Sequence, residues 1–304
     1  MKHFLSINDL SRDEILELVS LAEELKSNRK FRNDLKDKNV ILLFEKPSLR
    51  TRVSFEVAIA ELGGKYYHLG HREVGFGKRE AVKDIAEVLS CYVQACIIRT
   101  FKQDDLVEFS QHASIPVVNA LTNLEHPCQI LSDLLTIKER IHRLNSFKLA
   151  FIGDGNNISH SLIQASSILG FDLSIAIPSG YEPDDKVLKP ALERAEKANS
   201  KITVSNSPEN AIKGADFIYT DVWTSMGQED EMQERNKSFK NFQINKKLLK
   251  NTAGKYYIMH CLPAHRGEEI TDEVIDSENS IVIDQAENRL HMHKAILIKL
   301  FSQI

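Results

Sequence analysis

Hydrophobic positions in the first half of this chain follow two spacings. Short continuous apolar runs, which are typical of strands buried on both faces, predict strands at 39–44, 95–99 and 116–119. Apolar residues that recur at helical spacing predict amphipathic helices at 8–28, 52–62, 82–92 and 128–140. Strands that alternate with helices in this way predict a parallel sheet covered by helices on both faces.

A second series of the same kind begins at Phe147. Its apolar runs predict strands at 148–153, 173–177, 217–220, 256–259 and 281–283, and a short strand around Thr203. Its helical spacing predicts helices at 160–169, 186–198, 207–214 and 286–301. No Gly/Ser-rich linker separates the two series. The fold class we expect is therefore α/β, with two doubly wound parallel-sheet domains that meet at a stiff junction.

The unusual polar residues of the chain follow predicted strands. In open parallel sheets, ligands bind beyond the carboxyl ends of the strands. The residues at those places are 48–52, Arg99 and Thr100, 126–129, 153–157, Asp221 with 225–227, and 260–263. This placement predicts an active site in the cleft between the two domains.

The segment after the first strand is the strongest candidate for a binding site. The apolar run at 40–44 leads into Ser48, Arg50 and Thr51, where a helical pattern begins. Helix N-termini present backbone N–H groups and a partial positive charge. Hydroxyl and guanidinium groups at such a place suit the oxygens of a phosphate. An N-capped helix with two solvated arginines, Arg50 and Arg52, is the alternative that this stretch alone leaves open.

Four further residues are candidates that also allow ordinary structural explanations. Arg99 ends an apolar strand, where a charge needs a partner. His126 opens a helix and could donate to a carbonyl oxygen. Asp221 follows a strand and could hold a substrate amine, or it could cap a turn. Cys261 taken alone is better explained by an inert buried thiol.

The stretch Gly153-Asp154-Gly155-Asn156-Asn157 follows a predicted strand and looks like the start of a dinucleotide fingerprint. The third glycine of that fingerprint is missing, because residue 158 is isoleucine. The two adjacent asparagines are also common turn formers. NAD binding is therefore weakly supported.

Composition and charge exclude several classes of protein. The chain has 304 residues and a net charge of -4, so there is no overall electrostatic case for binding nucleic acid or an anionic membrane. No apolar run approaches the roughly 18 residues of a transmembrane helix, and the N-terminus lacks the apolar core of a signal peptide. The four cysteines contain no C-x-x-C pair, so we expect free thiols and a cytoplasmic location.

Four motifs in a fixed order are more specific than any single residue. They are Ser-Leu-Arg-Thr-Arg from Ser48, His-Pro-Cys-Gln from His126, Asp-Val-Trp-Thr-Ser-Met-Gly from Asp221, and His-Cys-Leu-Pro from His260. With them, nearly the whole chain resembles the ornithine carbamoyltransferases of the aspartate/ornithine carbamoyltransferase family. The first two motifs belong to carbamoyltransferases in general, and the last two indicate the ornithine branch.

The resemblance implies a reaction and its site residues. The carbamoyl group of carbamoyl phosphate would pass to the δ-amine of L-ornithine, giving L-citrulline and phosphate without a metal or other cofactor. Carbamoyl phosphate would be bound by Ser48, Leu49 through its backbone, Arg50, Thr51, Arg99, His126, Gln129 and Arg289. Ornithine would be bound by Asn157, Asp221, Ser225, Met226, Cys261 and Leu262. The catalytic groups would be Arg99, His126, Asp221 and Cys261.

The resemblance also implies domains and an assembly. A carbamoyl-phosphate-binding domain would cover residues 1–145 together with the C-terminal helix at 286–304, and an ornithine-binding domain would cover 146–285. The expected assembly is a homotrimer or a multiple of trimers. Many relatives carry a Gln or His that reaches the phosphate of a neighbouring subunit, where this chain has Gly75; Lys78 or Arg79 could substitute.

Other functions stay open at this point. Putrescine is the nearest alternative acceptor, and Asp221 together with Ser225 and Met226 argues against it, because these residues suit an amino-acid head group. Aspartate would be repelled by Asp221. A Rossmann-type NAD-dependent dehydrogenase lacks support from the glycine pattern, and a non-catalytic scaffold would have no need of all four motifs. The direction of use, arginine biosynthesis or the catabolic arginine deiminase route, is not encoded in these residues.

Overall fold

A computed structural model of the chain describes residues 2–70, 73, 75–76, 80–225 and 227–302. The chain divides into two compact units: the first contains Met1–Leu135 and Glu287–Ile304, and the second contains Thr136–Ala286. The sequence analysis placed this boundary near residue 145. Within the described ranges, no helix combines the length and the apolar character that are needed to cross a bilayer.

The first unit is built on a sheet of four parallel strands. The strands are β1 (Asn39–Phe44), β2 (Lys65–Gly70), β3 (Ala95–Arg99) and β4 (Val117–Leu121), in the order β2-β1-β3-β4. The helices are α1 (Arg12–Ser27), α2 (Leu49–Glu61), α3 (Val82–Tyr92), α4 (Gln103–His112) and the start of α5 (Pro127–Ile141). A short 3-10 helix at Ile7–Asp9 precedes α1. A core that includes Ile98, Ala86 and Phe109 lies between this sheet and α3 and α4.

Strand register places the candidate residues of the first unit at one edge of its sheet. Phe44 pairs with Arg99, and Arg99 pairs with Leu121, so β1, β3 and β4 end together. The predicted capping box at the start of α1 is confirmed, because Ser11 accepts from the backbone of Glu14 and the Glu14 side chain accepts from the backbone of Ser11.

The second unit contains a sheet of five parallel strands. The strands are β5 (Lys148–Ile152), β6 (Asp172–Ala176), β7 (Ile202–Ser205), β8 (Phe217–Thr220) and β9 (Tyr257–His260), in the order β7-β6-β5-β8-β9. The helices are α6 (Asn157–Leu169), α7 (Asp185–Lys197), α8 (Pro208–Ala211), α9 (Met232–Ser238), α10 (Lys246–Leu249), α11 (Asp272–Ile275) and α12 (Val282–Phe301), which continues into the first unit. Short 3-10 helices lie at Glu229–Glu231 and Lys240–Phe242. Thr220 pairs with Ile152 and His260, so β5, β8 and β9 end together.

Several predicted elements differ from the observed ones. The predicted strand at 281–283 is wrong: Ser280 forms only an isolated bridge, and α12 begins at Val282. Its β-branched residues suggested a strand, but Ile281 and Val282 are buried while Ile283 is exposed. Neither β2 nor α4 was predicted from the sequence, and in β2 the reason is that its tyrosines and histidine form no apolar run. It also began α2 at residue 52, whereas the first turn includes Arg50 and Thr51.

Candidate active site

The first turn of α2 contains most of the predicted phosphate-binding residues. Ser48 occupies the N-cap position with an extended backbone, yet its hydroxyl makes no capping hydrogen bond. The Leu49 side chain is 74% exposed, whereas Thr51 is buried. Arg52 Nε donates to Glu56 Oε1 at 2.8 Å within the same helix. Arg52 is therefore an ordinary surface arginine. Ser48 does not cap the helix with its hydroxyl and Thr51 is buried, so these two residues do not form a plain helix cap.

A buried cluster of cationic and imidazole side chains lies in the same unit. Arg289, on α12, donates through Nη2 to the hydroxyl of Thr51, and both residues are buried. Burial, together with the charges of Arg289 and Arg99 and with His293, lowers the pKa of His126 well below its usual value. At neutral pH His126 is therefore an uncharged imidazole beside two guanidinium groups. This edge of the sheet carries positive charge.

The segment that connects β1 to α2 is held against the end of β3. Glu45 N donates to Arg99 O at 2.8 Å, and the Thr100 hydroxyl donates to the Glu45 carboxylate. Lys46 is buried and donates to Asn123. The sequence analysis did not assign Glu45 or Lys46. Their signal was two charged residues directly after a continuous apolar strand, where charges are seldom buried without partners.

Two further side chains complete this part of the first unit. Gln129 is buried, and its Nε2 donates to Asp133 Oδ1 at 2.8 Å within α5. The ring of His293 stacks on Phe55 with centroids 3.6 Å apart, and its Nδ1 lies 3.0 Å from Ser54 Oγ. His293 was missed because a histidine at a core position of an amphipathic helix gives no distinctive pattern.

The second unit centres on a buried carboxylate, Asp221, which follows β8 directly. Cys261 Sγ donates to Asp221 Oδ1 at 2.9 Å, and Asn156 Nδ2 donates to Asp221 Oδ2 at 3.0 Å. Each donor comes from the end of a different strand. The structure therefore brings Asp221 and Cys261 together, and it adds Asn156, which the sequence analysis treated as a turn former.

Asn156 also begins α6. Its Oδ1 accepts from Ile158 N at 3.0 Å and from Ser159 N at 3.3 Å, which is the N-cap arrangement. Asn157, the predicted ornithine ligand, is the first residue of that helix. A Cβ atom on Gly155 would lie 2.3 Å from the carbonyl oxygen of Tyr181, so only glycine fits where the chain passes this closely.

His260 positions the segment that contains Cys261. Its Nε2 lies 3.0 Å from Glu269 Oε1, and its Nδ1 accepts from Leu262 N at 2.9 Å. Since Nδ1 accepts, Nε2 carries the proton and donates to the carboxylate. Leu262 has a φ of +55°, a conformation that costs a non-glycine residue of the order of 1–3 kcal/mol. His260 and Glu269 therefore hold a strained turn beside the Asp221–Cys261 pair.

An ion pair fixes the segment that follows Asp221. Arg235 Nη1, on α9, donates to Asp154 Oδ2 at 3.0 Å and to Trp223 O at 2.8 Å. Burial raises the pKa of Asp154 to about 6, and the charge of Arg235 opposes that rise. The sequence analysis did not assign Arg235, because nothing local marks an arginine in a charged helix as the partner of a distant strand end.

The remaining predicted residues lie in the segment after Asp221 and in the loop around Gly75. Ser225 N donates to Gln228 Oε1 at 3.1 Å, which forms a small turn after Asp221. Met226 lies outside the described residues, as do Lys78 and Arg79. Gly75 is described and has a φ of +52°.

Two groups of side chains among the described residues contain the donor atoms of a possible metal site. They are Asp221 with His260 and Cys261, and His265 with Glu268 and Glu269. Both ring nitrogens of His260 are hydrogen-bonded, and Glu269 Oε1 accepts from His260 and from His265 N. A metal would have to break these bonds, so neither group is arranged as a preformed metal site.

The chemistry of the two edges differs. The first unit presents a helix N-terminus and buried cations, which suit an anion. The second presents a buried carboxylate held by a thiol and an amide, which suits an amine. Both edges lie at the carboxyl ends of parallel strands, which is where open α/β sheets bind small ligands.

Comparisons with known proteins identify the family. Residues 2–139 match the model described as "Aspartate/ornithine carbamoyltransferase, carbamoyl-P binding domain", and residues 145–300 match "Aspartate/ornithine carbamoyltransferase, Asp/Orn binding domain". The chain belongs to the aspartate/ornithine carbamoyltransferase family.

Three relatives illustrate the likeness. Ornithine carbamoyltransferase of Archaeoglobus fulgidus is 48% identical over 306 residues, which cover 100% of this chain and 98% of the relative. The catabolic ornithine carbamoyltransferase of Thermoplasma acidophilum is 46% identical, with 99% of each chain covered. The crystal structure of the anabolic ornithine carbamoyltransferase of Campylobacter jejuni has a TM-score of 0.96 at 40% identity and covers 100% of both chains.

Proposed function

We propose that the protein transfers the carbamoyl group of carbamoyl phosphate to the δ-amine of L-ornithine, giving L-citrulline and phosphate. It is a transferase of the family named above, and its full-length relatives carry the name ornithine carbamoyltransferase. The observation that carries the choice of acceptor is the buried Asp221 carboxylate held by Cys261 and Asn156. A carboxylate attracts an ammonium group and repels the second carboxylate of aspartate.

We assign the carbamoyl phosphate site to the first unit. The phosphate would be bound by the hydroxyls of Ser48 and Thr51, the Leu49 backbone and the Arg50 guanidinium at the start of α2. The carbamoyl group would be bound by Arg99, His126, Gln129 and Arg289. The support is the positive charge of this edge and the contact between Arg289 and Thr51.

We assign ornithine binding to the second unit. Asp221 and Cys261 would bind the reacting amine, and Asn157, Ser225, Met226 and Leu262 would bind the rest of the amino acid. The reaction requires the amine held by the second unit to reach the carbonyl carbon held by the first. This requirement is the reason why we predict a single active site between the two domains.

The reaction needs a deprotonated amine and a stabilised oxyanion. The δ-amine of ornithine has an ordinary pKa of about 10.4, so it must lose a proton before it attacks. Cys261 would help to orient the amine, and the Asp221 carboxylate would accept that proton. Attack on the carbonyl carbon forms a tetrahedral oxyanion, to which Arg99, His126 and Thr51 would donate. The carbon–oxygen bond to phosphate then breaks, and the departing phosphate takes the proton that the attacking nitrogen still has to lose. Arg50 with the α2 N-terminus would stabilise that phosphate.

A direct assay tests the proposal. Purified protein is supplied with carbamoyl phosphate and with ornithine, putrescine or aspartate in parallel, and the carbamoylated products are measured. We expect the kcat/KM for ornithine to exceed the values for the other two by roughly 10²-fold or more. Putrescine lacks the α-carboxylate of ornithine, and aspartate carries a second carboxylate that Asp221 would repel. Equal turnover of putrescine would contradict the assignment of Ser225 and Met226.

We further propose a cytoplasmic homotrimer. All four cysteines are free thiols, as a reducing compartment would keep them. If a neighbouring subunit supplies cations to the phosphate site, mixing a K78A/R79A variant with an R50A variant at limiting carbamoyl phosphate should give more activity than the two variants have separately. No recovery after confirmed subunit exchange would mean that each chain completes its own site. Relatives of both anabolic and catabolic name cover the whole chain, so the direction of use needs a physiological experiment.

A further inference from the structure

The segment before α1 pairs with the last strand of the first unit's sheet. Phe4 N donates to Val117 O at 2.8 Å, and Asn119 N donates to Phe4 O at 2.7 Å. The Asn119 side-chain amide donates to Leu5 O at 2.8 Å. Phe4 and Asn119 are fully buried. The N-terminal segment is therefore attached along β4, at the strand that leads into His126.

The next residues of this segment contact the loop that follows β4. Ser6 Oγ donates to Glu125 Oε1 at 2.7 Å, and Ile7 N donates to Glu125 Oε2 at 3.2 Å. Glu125 is 3% exposed, and Ile7 is fully buried. A buried carboxylate is unfavourable unless donors satisfy it, and here both of its oxygens accept from residues 6–7.

The loop itself is a tight turn that fixes the backbone on both sides of His126. Thr122 Oγ1 accepts from Leu124 N at 3.2 Å and from Glu125 N at 3.1 Å. Thr122 N donates to Glu125 O at 2.9 Å. His126 follows at once, and Pro127, which begins α5, restricts the backbone of the residue before it. Glu125 precedes His126 directly in a restricted backbone, so a displacement of Glu125 can displace His126.

We propose that Glu125 is a positioning residue for His126, and that residues 4–7 form a strap that holds Glu125 in place. The inference rests on the proposed function, in which His126 donates to the carbamoyl oxygen. Such a donor stabilises the oxyanion only at the correct distance, and a displacement of about 1 Å can cost up to roughly 10²-fold in rate. Glu125 acts through the backbone of His126 and needs no contact with substrate.

Matched variants separate positioning from general destabilisation. Glu125→Ala removes both acceptors, whereas Glu125→Gln keeps a carbonyl oxygen for Ile7 N and an amide that can donate to Ser6 Oγ. Glu14→Ala is the control, because Glu14 also caps the N-terminal region, accepting from Ser11 N at 2.9 Å, away from the loop. We expect E125A to lower kcat about tenfold, E125Q to recover most of it, and E14A to leave kcat near the wild-type value.

A double-mutant cycle with His126→Asn tests whether Glu125 acts through His126. Citrulline formation is measured for wild type, E125A, H126N and the double variant, with Tm for each. If Glu125 only positions His126, E125A should lower kcat little further in the H126N background. If E125A lowers kcat by the same factor in the wild-type and H126N backgrounds, the positioning role is contradicted, even if E125Q restores activity.

The outcomes discriminate between the inference and the proposed function. The positioning role would be overturned if the losses in kcat of E125A and H126N multiply in the double variant. It would also be overturned if the losses in kcat of E125A and E14A simply follow their losses in Tm. In both cases citrulline formation by the wild type would still stand. No citrulline from folded wild-type protein would overturn the proposed function, and the inference with it.

Discussion

The carboxyl edges of the two sheets use opposite charge arrangements. In the first unit, burial and the charges of Arg289 and Arg99 lower the pKa of His126, so its imidazole is uncharged. In the second, Asp221 and Asp154 are buried carboxylates that each accept from neighbouring donors. The difference shows how one architecture can suit an anion at one sheet and an amine at the other, because strand ends fix positions while side chains set the charge.

Breaking the Arg235–Asp154 ion pair in the second unit should give the largest loss of stability. Arg235→Ala removes the guanidinium donor from the Asp154 carboxylate, which is 5% exposed, and from the Trp223 carbonyl. We expect a loss of about 3–5 kcal/mol in the free energy of unfolding, measured by chemical denaturation at pH 7.5. Arg266→Ala is the control, since Arg266 pairs with exposed acids and should matter far less. Equal losses would show that the buried pair is not special.

The helix start in the first unit should affect binding more than stability. Arg50→Ala should weaken binding of carbamoyl phosphate by about 1.5–3 kcal/mol, or roughly 10- to 150-fold, because a charge-assisted hydrogen bond to phosphate is lost. Calorimetry gives the affinity, and thermal unfolding gives the stability. Arg52→Ala is the matched control two residues further along α2, where Glu56 already pairs with the arginine. Unchanged affinity in R50A would make Arg50 a solvated arginine.

Acid should act on the two units in opposite directions. Asp154 has a folded pKa raised to about 6, above its ordinary value of 3.8, so folded protein takes up its proton first and gains stability as pH falls from 6 to 4. Burial lowers the pKa of His293 well below 6.5, so the unfolded chain takes up that proton first and stability is lost as pH falls below 6.5. Each effect is at most about 1.4 kcal/mol per pH unit.

Two substitutions isolate these titrations. Unfolding free energies are measured from pH 7.5 to 4 for wild type, D154N and H293Q. Relative to wild type, D154N should lose the gain on acidification, and H293Q should lose part of the acid sensitivity. Parallel curves for all three proteins would mean that neither group titrates differently on unfolding.

The thiol beside Asp221 should give the smallest effect. Cys261→Ser keeps a donor for Asp221 Oδ1, whereas Cys261→Ala removes it. We expect C261A to raise the KM for ornithine more than C261S does, by a difference worth about 1 kcal/mol. Cys128→Ser, at a buried thiol in the other unit, is the control for a general effect of removing sulfur. Identical KM values for C261A and C261S would show that the bond to Asp221 does not orient the amine.

Much of the fold could be predicted from local patterns. The alternation of apolar runs with helical spacing predicted parallel sheets, and both sheets are parallel. Prediction failed where a pattern was ambiguous, as at 281–283, or absent, as in β2, whose exposed tyrosines do not form an apolar run. The candidate site was predicted best where residues cluster in sequence, as in the first turn of α2.

By itself, the sequence determined the alternation of strands and helices at most places, the capping box at Ser11 and the position of each motif beyond a strand. Only the tertiary structure decided which distant groups meet. Arg289 donates to Thr51 across 238 residues, and Arg235 reaches Asp154 across 81. Periodicity reports which face of an element is buried, because burial repeats with the helix or strand. A pair of distant side chains leaves no such repeat, so its contact depends on how the chain brings the two elements together.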